Sequence, residues 1–196
     1  MSLTLQNKPA SSFEPVSDGI HPAVCVAVID KGPTLTTFQG QNKVVNKMNI
    51  VWEVEETTQA GARKTVSKSY TASLHAKAQL AKDLGTWRGK PVAENESIDL
   101  TKLVGACCTL VVSTSDGEGG KKYTGVTAVS KPTKKLTASG AFDLTATLKR
   151  LRDWSSKNNP KHDDDVFAAQ LGEKVAATEP ASTAAPAPKY DPEVGF

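Results

Sequence analysis

Paired metal-binding residues and long apolar runs are both missing from this 196-residue chain. It has three cysteines, Cys25, Cys107 and Cys108, and three scattered histidines, His21, His75 and His162. No CxxC or closely spaced histidine pair exists, so the spacing of a zinc site is absent. An odd cysteine count without a framework fits a reducing compartment, with the thiols acting as small core hydrophobes. No apolar run approaches the ~20 residues of a membrane span. The first residues lack the basic-then-apolar order of a signal peptide. The expectation is a soluble cytoplasmic protein with no membrane partner.

Catalytic signatures are equally scarce. None of the histidines sits in a nucleophile or metal motif. Gly117, Gly119 and Gly120 lack the Gly-Lys-Ser/Thr ending of a phosphate loop and read as a hairpin. Asp163, Asp164 and Asp165 read as a solvated helix start, where the helix dipole favours acids. The expectation is a non-enzyme with no metal and no cofactor.

What is present is an uneven charge. The chain carries 24 Lys/Arg against 21 Asp/Glu, a net of +3. Between Gly19 and Lys135 there are 16 basic against 10 acidic residues, and from Leu136 onward 7 against 9. A basic body with a mildly acidic tail suggests a polyanionic partner, although an ordinary solvated surface gives the same totals.

Residues 1–18 read as a flexible lead-in. Pro22 to Asp30 has the apolar content of a strand covered on both faces. Lys31 to Asn42 reads as a loop. Lys43 to Glu55 alternates with period two, placing Met48, Ile50, Trp52 and Val54 on one face and Lys43 and Lys47 on the other. Arg63 to Thr71 is a third strand, with Lys64, Lys68 and Tyr70 on one side. Ser73 can cap a helix to Leu84, ended by Gly85. Ile98 to Val104 is a short helix or turn. Ala106–Thr114 and Lys121–Val129 complete five strands around a Ser115–Gly120 hairpin loop.

Three strands, a helix and two strands is the order of an OB-fold, a five-stranded Greek-key barrel with a helix between strands 3 and 4. Residues 19–135 would form this body. Residues 136–175 would be a helical extension, with helices over Phe142–Trp154 and Asp163–Val175. Residues 176–196, rich in Ala, Pro and Thr, would be a disordered linker and tip.

A single nucleic-acid strand needs cations for its phosphates and exposed rings for its bases, each stack contributing ~1–3 kcal/mol. An OB-fold would place the candidates on strands 2 and 3 and on the loops between strands 1–2 and 4–5. They are Phe38, Lys43, Lys47, Lys64, Lys68, Tyr70, Lys121, Lys122 and Tyr123, joined by Trp87 and Arg88 after the helix. Trp52 reads as core. Trp87 and Tyr70 fit core or binding equally. At the far end, Tyr190, Asp191, Glu193 and Phe196 combine acids, an aromatic ring and an α-carboxylate, which a basic-rimmed partner pocket can clamp.

The stretches Ala27-Val-Ile-Asp-Lys-Gly-Pro33, Phe38-Gln-Gly40, Val51-Trp-Glu53, Lys68-Ser-Tyr-Thr-Ala-Ser-Leu-His-Ala-Lys-Ala78 and Trp87-Arg-Gly89 resemble phage-encoded OB-fold single-stranded DNA-binding proteins. The resemblance spans about Gly19 to Pro132. It implies coating and protection of single-stranded DNA in replication and recombination, with little sequence preference. The tail resembles those of bacterial and T7-type single-stranded DNA-binding proteins, which recruit replication or recombination proteins. It departs from them in having only Asp191 and Glu193 as acids and Gly195 before Phe196. Two other readings are open: a protein-interaction module of a phage replication or virion assembly, and an RNA-binding OB-fold. Oligomeric state is open too, a dimer included.

Overall fold

The computed structural model describes residues 14–116 and 122–173. It is mainly β. The strands are β1 (Gly19–Phe38), β2 (Gln41–Thr57), β3 (Arg63–Thr71), β4 (Cys107–Asp116) and β5 (Lys122–Ser130). Helix α1 (Gln79–Arg88) follows β3, and α2 (Leu144–Asn158) and α3 (Asp164–Leu171) follow β5. A single 3-10 turn, Leu100–Leu103, precedes β4 and is capped by the Asp99 side chain.

All strand pairs are antiparallel, in the order β3-β2-β1-β4-β5. Among the described residues no backbone ladder joins β3 to β5, so the sheet is open rather than the closed barrel expected. The two edges still meet: Lys68 Nζ lies 3.5 Å from the Thr127 carbonyl.

Of the expected Lys31–Asn42 loop, residues 31–38 belong to β1 and residues 41–42 to β2. Thr34 to Phe38 pair with Val45 to Gln41, forming a long two-stranded ribbon. The ribbon turns at Gln39 and Gly40, with φ of 50° and 76°. Positive φ at both central residues matches the right-handed twist of flanking strands, which is why so short a turn closes the ribbon.

β1 serves two cores because it contains a bulge. The register shifts between Cys25 and Ala27. An extra residue reverses which side the following side chains face. Ala23 and Cys25 therefore join Met48, Ile50, Trp52, Tyr70, Leu80, Leu84, Trp87 and Leu110 in the main core. Ala27 and Ile29 join Val51, Leu148 and Phe167 in a second core on the opposite face. Complete burial of side chains such as Leu148 and Phe167 contributes about 1.5–3 kcal/mol each.

The extension is docked on the sheet. Asn159 donates from Nδ2 to the Pro33 carbonyl (2.8 Å) and accepts from Leu35 N (3.4 Å). Ser139 donates from N and Oγ to buried Glu53, each at 2.8 Å. Gly32, at φ +67°, lies so close to α3 that a Cβ there would meet Val166 Cγ2 at 3.1 Å.

Two boundaries move. The body begins before Gly19: Val16 is 2% exposed within the main core, and Ser17 donates from N and Oγ to Glu56. Helix α1 starts at Gln79 instead of Ser73. Residues 73–78 form turns, with Ser73 Oγ accepting from His75 N and His75 Nδ1 accepting from Lys77 N. The helix runs past Gly85 and ends at Gly89, whose φ of 73° gives the left-handed stop.

Candidate functional site

The outer face of β2 and β3 is covered at one end and exposed at the other: Val51 and Glu53 are buried under the second core and the Ser139 contacts, while Ser67 and Ser69 on β3 are exposed. Register places Lys47 opposite Thr71, Asn49 opposite Ser69, Val51 opposite Ser67 and Glu53 opposite Thr65, so these share one face. Helix α2 stands beside this face and makes it a cleft of about 490 Å³, whose lining includes Asn49, Thr65, Ser67, Thr147 and Arg150. The Asn49 Oδ1 is buried without a hydrogen-bond partner. Strand alternation carries the same face outward along β2 to Lys47, Val45 and Lys43 on the ribbon.

Lys31 and Lys47 stand side by side at the base of the ribbon. Gly32, next to Lys31, is the cross-strand partner of Lys47. Both lysines are half-buried, and among the described residues neither makes an ion pair. Burial, and then the Lys47 charge, push the Lys31 ammonium below its ordinary pKa. Lys47 Nζ donates to Thr71 Oγ1 (3.0 Å), and Lys31 Nζ sits 5.2 Å from the centre of the Trp154 ring. Two crowded cations without a carboxylate form an anion-attracting spot.

Other expected site residues have internal duties. Tyr70 is 2% exposed and donates its hydroxyl to Asp83 Oδ2 at 2.8 Å. Trp87 is 7% exposed, donates Nε1–H to the Cys107 carbonyl at 2.7 Å, and tilts against buried Trp52 with centroids 6.1 Å apart. Neither ring offers a face on which a base could stack, which corrects the expectation for both. Lys64 pairs with Glu56 (2.5 Å), Lys68 with Asp83 (2.7 Å) and Arg88 with Glu96 (2.6 Å). Their positive charge is already met within the protein. Lys64, Lys68 and Tyr70 share the inward side of β3 with Val66, so alternation had grouped them correctly while concealing the direction they face.

Lys43, Lys122 and Tyr123 are exposed, Tyr123 at 57%. Lys122 and Tyr123 open β5 opposite Asp116 and Ser115, and neighbouring Thr124 lines the cleft. Phe38 ends β1 at the ribbon tip, its backbone paired with Gln41. Lys121 and the tail residues Tyr190, Asp191, Glu193 and Phe196 lie outside the described residues.

Lys31, Arg150 and Trp154 were not among the expected contact residues. Lys31 looked like part of a loop. Trp154 closed the expected Phe142–Trp154 helix, yet it is 51% exposed. The available signal was its position: Thr147, Arg150 and Trp154 follow i, i+3 and i+7, a helical flank adjoining buried Leu148.

One contact resembles catalytic machinery. His162 Nδ1 lies 3.0 Å from Ser155 Oγ, and its Nε2 lies 3.3 Å from Asp164 Oδ1. Ser155 is 2% exposed, and Asp164 is held by the Arg152 guanidinium, which pulls its carboxyl down to about 2. The hydroxyl is closed to a substrate, and the cluster ties α2 to α3. Among the described residues no group of three or more His, Cys, Asp or Glu could hold a metal, and no helix is long and apolar enough to cross a membrane.

No known protein-family model matches this chain, and a search of curated proteins finds no relative.

Proposed function

We propose that this chain is a non-catalytic single-stranded DNA-binding protein on an OB-type body, of the kind phages encode for replication and recombination. The observation that carries the reading is the Lys31–Lys47 pair, half-buried side by side and without an ion-pair partner among the described residues, at the end of a strand face where Ser67 and Ser69 are exposed. A phosphate backbone supplies the missing negative charge. In this reading the strand runs along the outer face of β2 and the ribbon. Lys31, Lys43, Lys47 and Arg150 meet phosphates, while Asn49, Ser67 and Ser69 offer hydrogen bonds to sugars and bases. Lys122 and Tyr123 extend the contact at the hairpin. The order β3-β2-β1-β4-β5, with β3 beside β5, supports the OB-type body. The protein then coats exposed strands in the cytoplasm of the infected cell and recruits replication or recombination proteins through its tail.

The test is anisotropy of labelled oligo-dT titrated over a range of salt, with duplex DNA and equal-length RNA as competitors. The expected result is salt-sensitive binding that resists both competitors. Single strands lose about 0.7 in log–log slope per phosphate contact. Replacing Lys31, Lys43 and Lys47 together by alanine should therefore flatten the slope by about 2. Lys64→Ala, which removes a lysine already paired with Glu56, should leave it unchanged. No binding by folded wild-type protein at low salt would overturn the reading, as would preferential capture by RNA.

A further inference from the structure

Trp154 stands apart from the other two tryptophans. Trp52 and Trp87 are 0% and 7% exposed, whereas Trp154 is 51% exposed on α2. An indole is a large apolar surface, and leaving half of it in water forgoes burial energy. Its surroundings are specific. The Lys31 ammonium lies over one face of the ring, 5.2 Å from its centre. Lys47 is the next cation across the strand pair. Arg150, one turn earlier on the same helical flank, lines the cleft. A half-exposed ring with a cation over one face, among cations that make no ion pair with the described residues, offers the two things one nucleotide needs: a second π face for the base and positive charge for the phosphate.

From this juxtaposition we infer that Trp154 is a base-stacking residue for single-stranded DNA, with Lys31 and Lys47 holding an adjacent phosphate. The helical extension is thereby part of the binding site as well as a cover for the second core. This rests on the single-strand reading above and assigns it a subsite outside the five strands. It also supplies a preference for unpaired DNA, because a base stacked inside a duplex has no free face to offer the indole.

The test uses the full chain, oligo-dT and an abasic oligonucleotide of equal length. Stacking on one ring predicts that Trp154→Ala weakens oligo-dT binding about tenfold and leaves abasic binding unchanged. Trp154→Phe should recover most of the loss. Because the other two indoles are buried, quenching by iodide reports mainly Trp154, and oligo-dT should shield it. Unchanged oligo-dT affinity in Trp154→Ala would overturn the subsite while leaving the single-strand reading intact. Equal losses on both oligonucleotides would overturn it too, by showing a structural role. Failure of wild-type protein to bind either one would overturn the underlying reading.

Discussion

Replacing Asp83 by alanine tests whether the polar cluster on the inner side of β3 serves stability instead of binding. Asp83 is 6% exposed. Its carboxylate accepts from Lys68 Nζ at 2.7 Å, Tyr70 Oη at 2.8 Å and Gln79 Nε2 at 2.6 Å. Asp83 and burial together push the Tyr70 phenol well above its ordinary pKa, burial being the larger cause. Removing the carboxylate strands a nearly buried ammonium and a buried hydroxyl at once. Breaking a buried pair costs about 3–5 kcal/mol, against a total stability of about 5–15 kcal/mol for such a domain. With a urea dependence of about 2 kcal/mol per molar, the unfolding midpoint should fall by about 2 M. Tyr70→Phe removes one hydrogen bond and should cost about 1–2 kcal/mol. A double-mutant cycle should show that the two effects are coupled, because both delete the same contact. Urea unfolding followed by circular dichroism measures all three variants, and anisotropy with oligo-dT measures binding by the folded fraction. An Asp83→Ala midpoint close to wild type would refute the reasoning. So would a stable Tyr70→Phe protein that has lost its affinity for the strand.

Three further outcomes are expected. A chain ending at Glu173 should keep its melting temperature and its oligo-dT affinity. One ending at Lys135 should melt lower and aggregate, because it uncovers Ala27, Ile29 and Val51 and removes the Ser139 contacts to Glu53. In acid, Glu56 should reveal itself. Lys64, and then Ser17, hold its carboxyl at about 2, below an ordinary value of 4.5. A depressed carboxyl stabilises the fold above 4.5 and loses that contribution as pH falls towards 2. Glu56→Gln should lack this part of the acid dependence in thermal melts between those limits, and an unchanged profile would refute the assignment.

The core was legible where side-chain period and register agree. Met48, Ile50, Trp52 and Val54 alternate without interruption along β2, and all are buried. β1 was harder because its bulge after Cys25 breaks the period, so Ala27 faces away from Cys25 despite its odd-numbered position. The ribbon was hidden because Gly32 and Pro33 read as turn formers. Pairing with β2 and support from α3 overrule that local preference. Strand parity grouped the cations of β3 but was blind to their partners. Glu56 lies eight residues before Lys64 and Asp83 fifteen after Lys68. Periodicity has no term for contacts of that kind. Trp154 was missed for a related reason. A hydrophobic stripe identifies the buried side of a helix, while the cation beside the Trp154 ring comes from β1 and becomes visible only once that strand is in place.

The docking of α3 on β1 has a consequence for how these molecules behave in a crowd. β4 pairs with β1 only as far as Val24, so beyond that point one side of β1 has no strand neighbour. Gln170 reaches into this gap. Its Oε1 accepts from Asp30 N and its Nε2 donates to the Asp30 carbonyl, each at 2.9 Å. A primary amide carries one acceptor and a donor in nearly the arrangement of a peptide group, so Gln170 occupies the place of a missing strand residue. An unpaired strand edge is a template on which another chain can add itself. By filling the hydrogen-bonding positions of Asp30, Gln170 closes the template there. At that position, copies of the protein crowded together cannot join their sheets edge to edge.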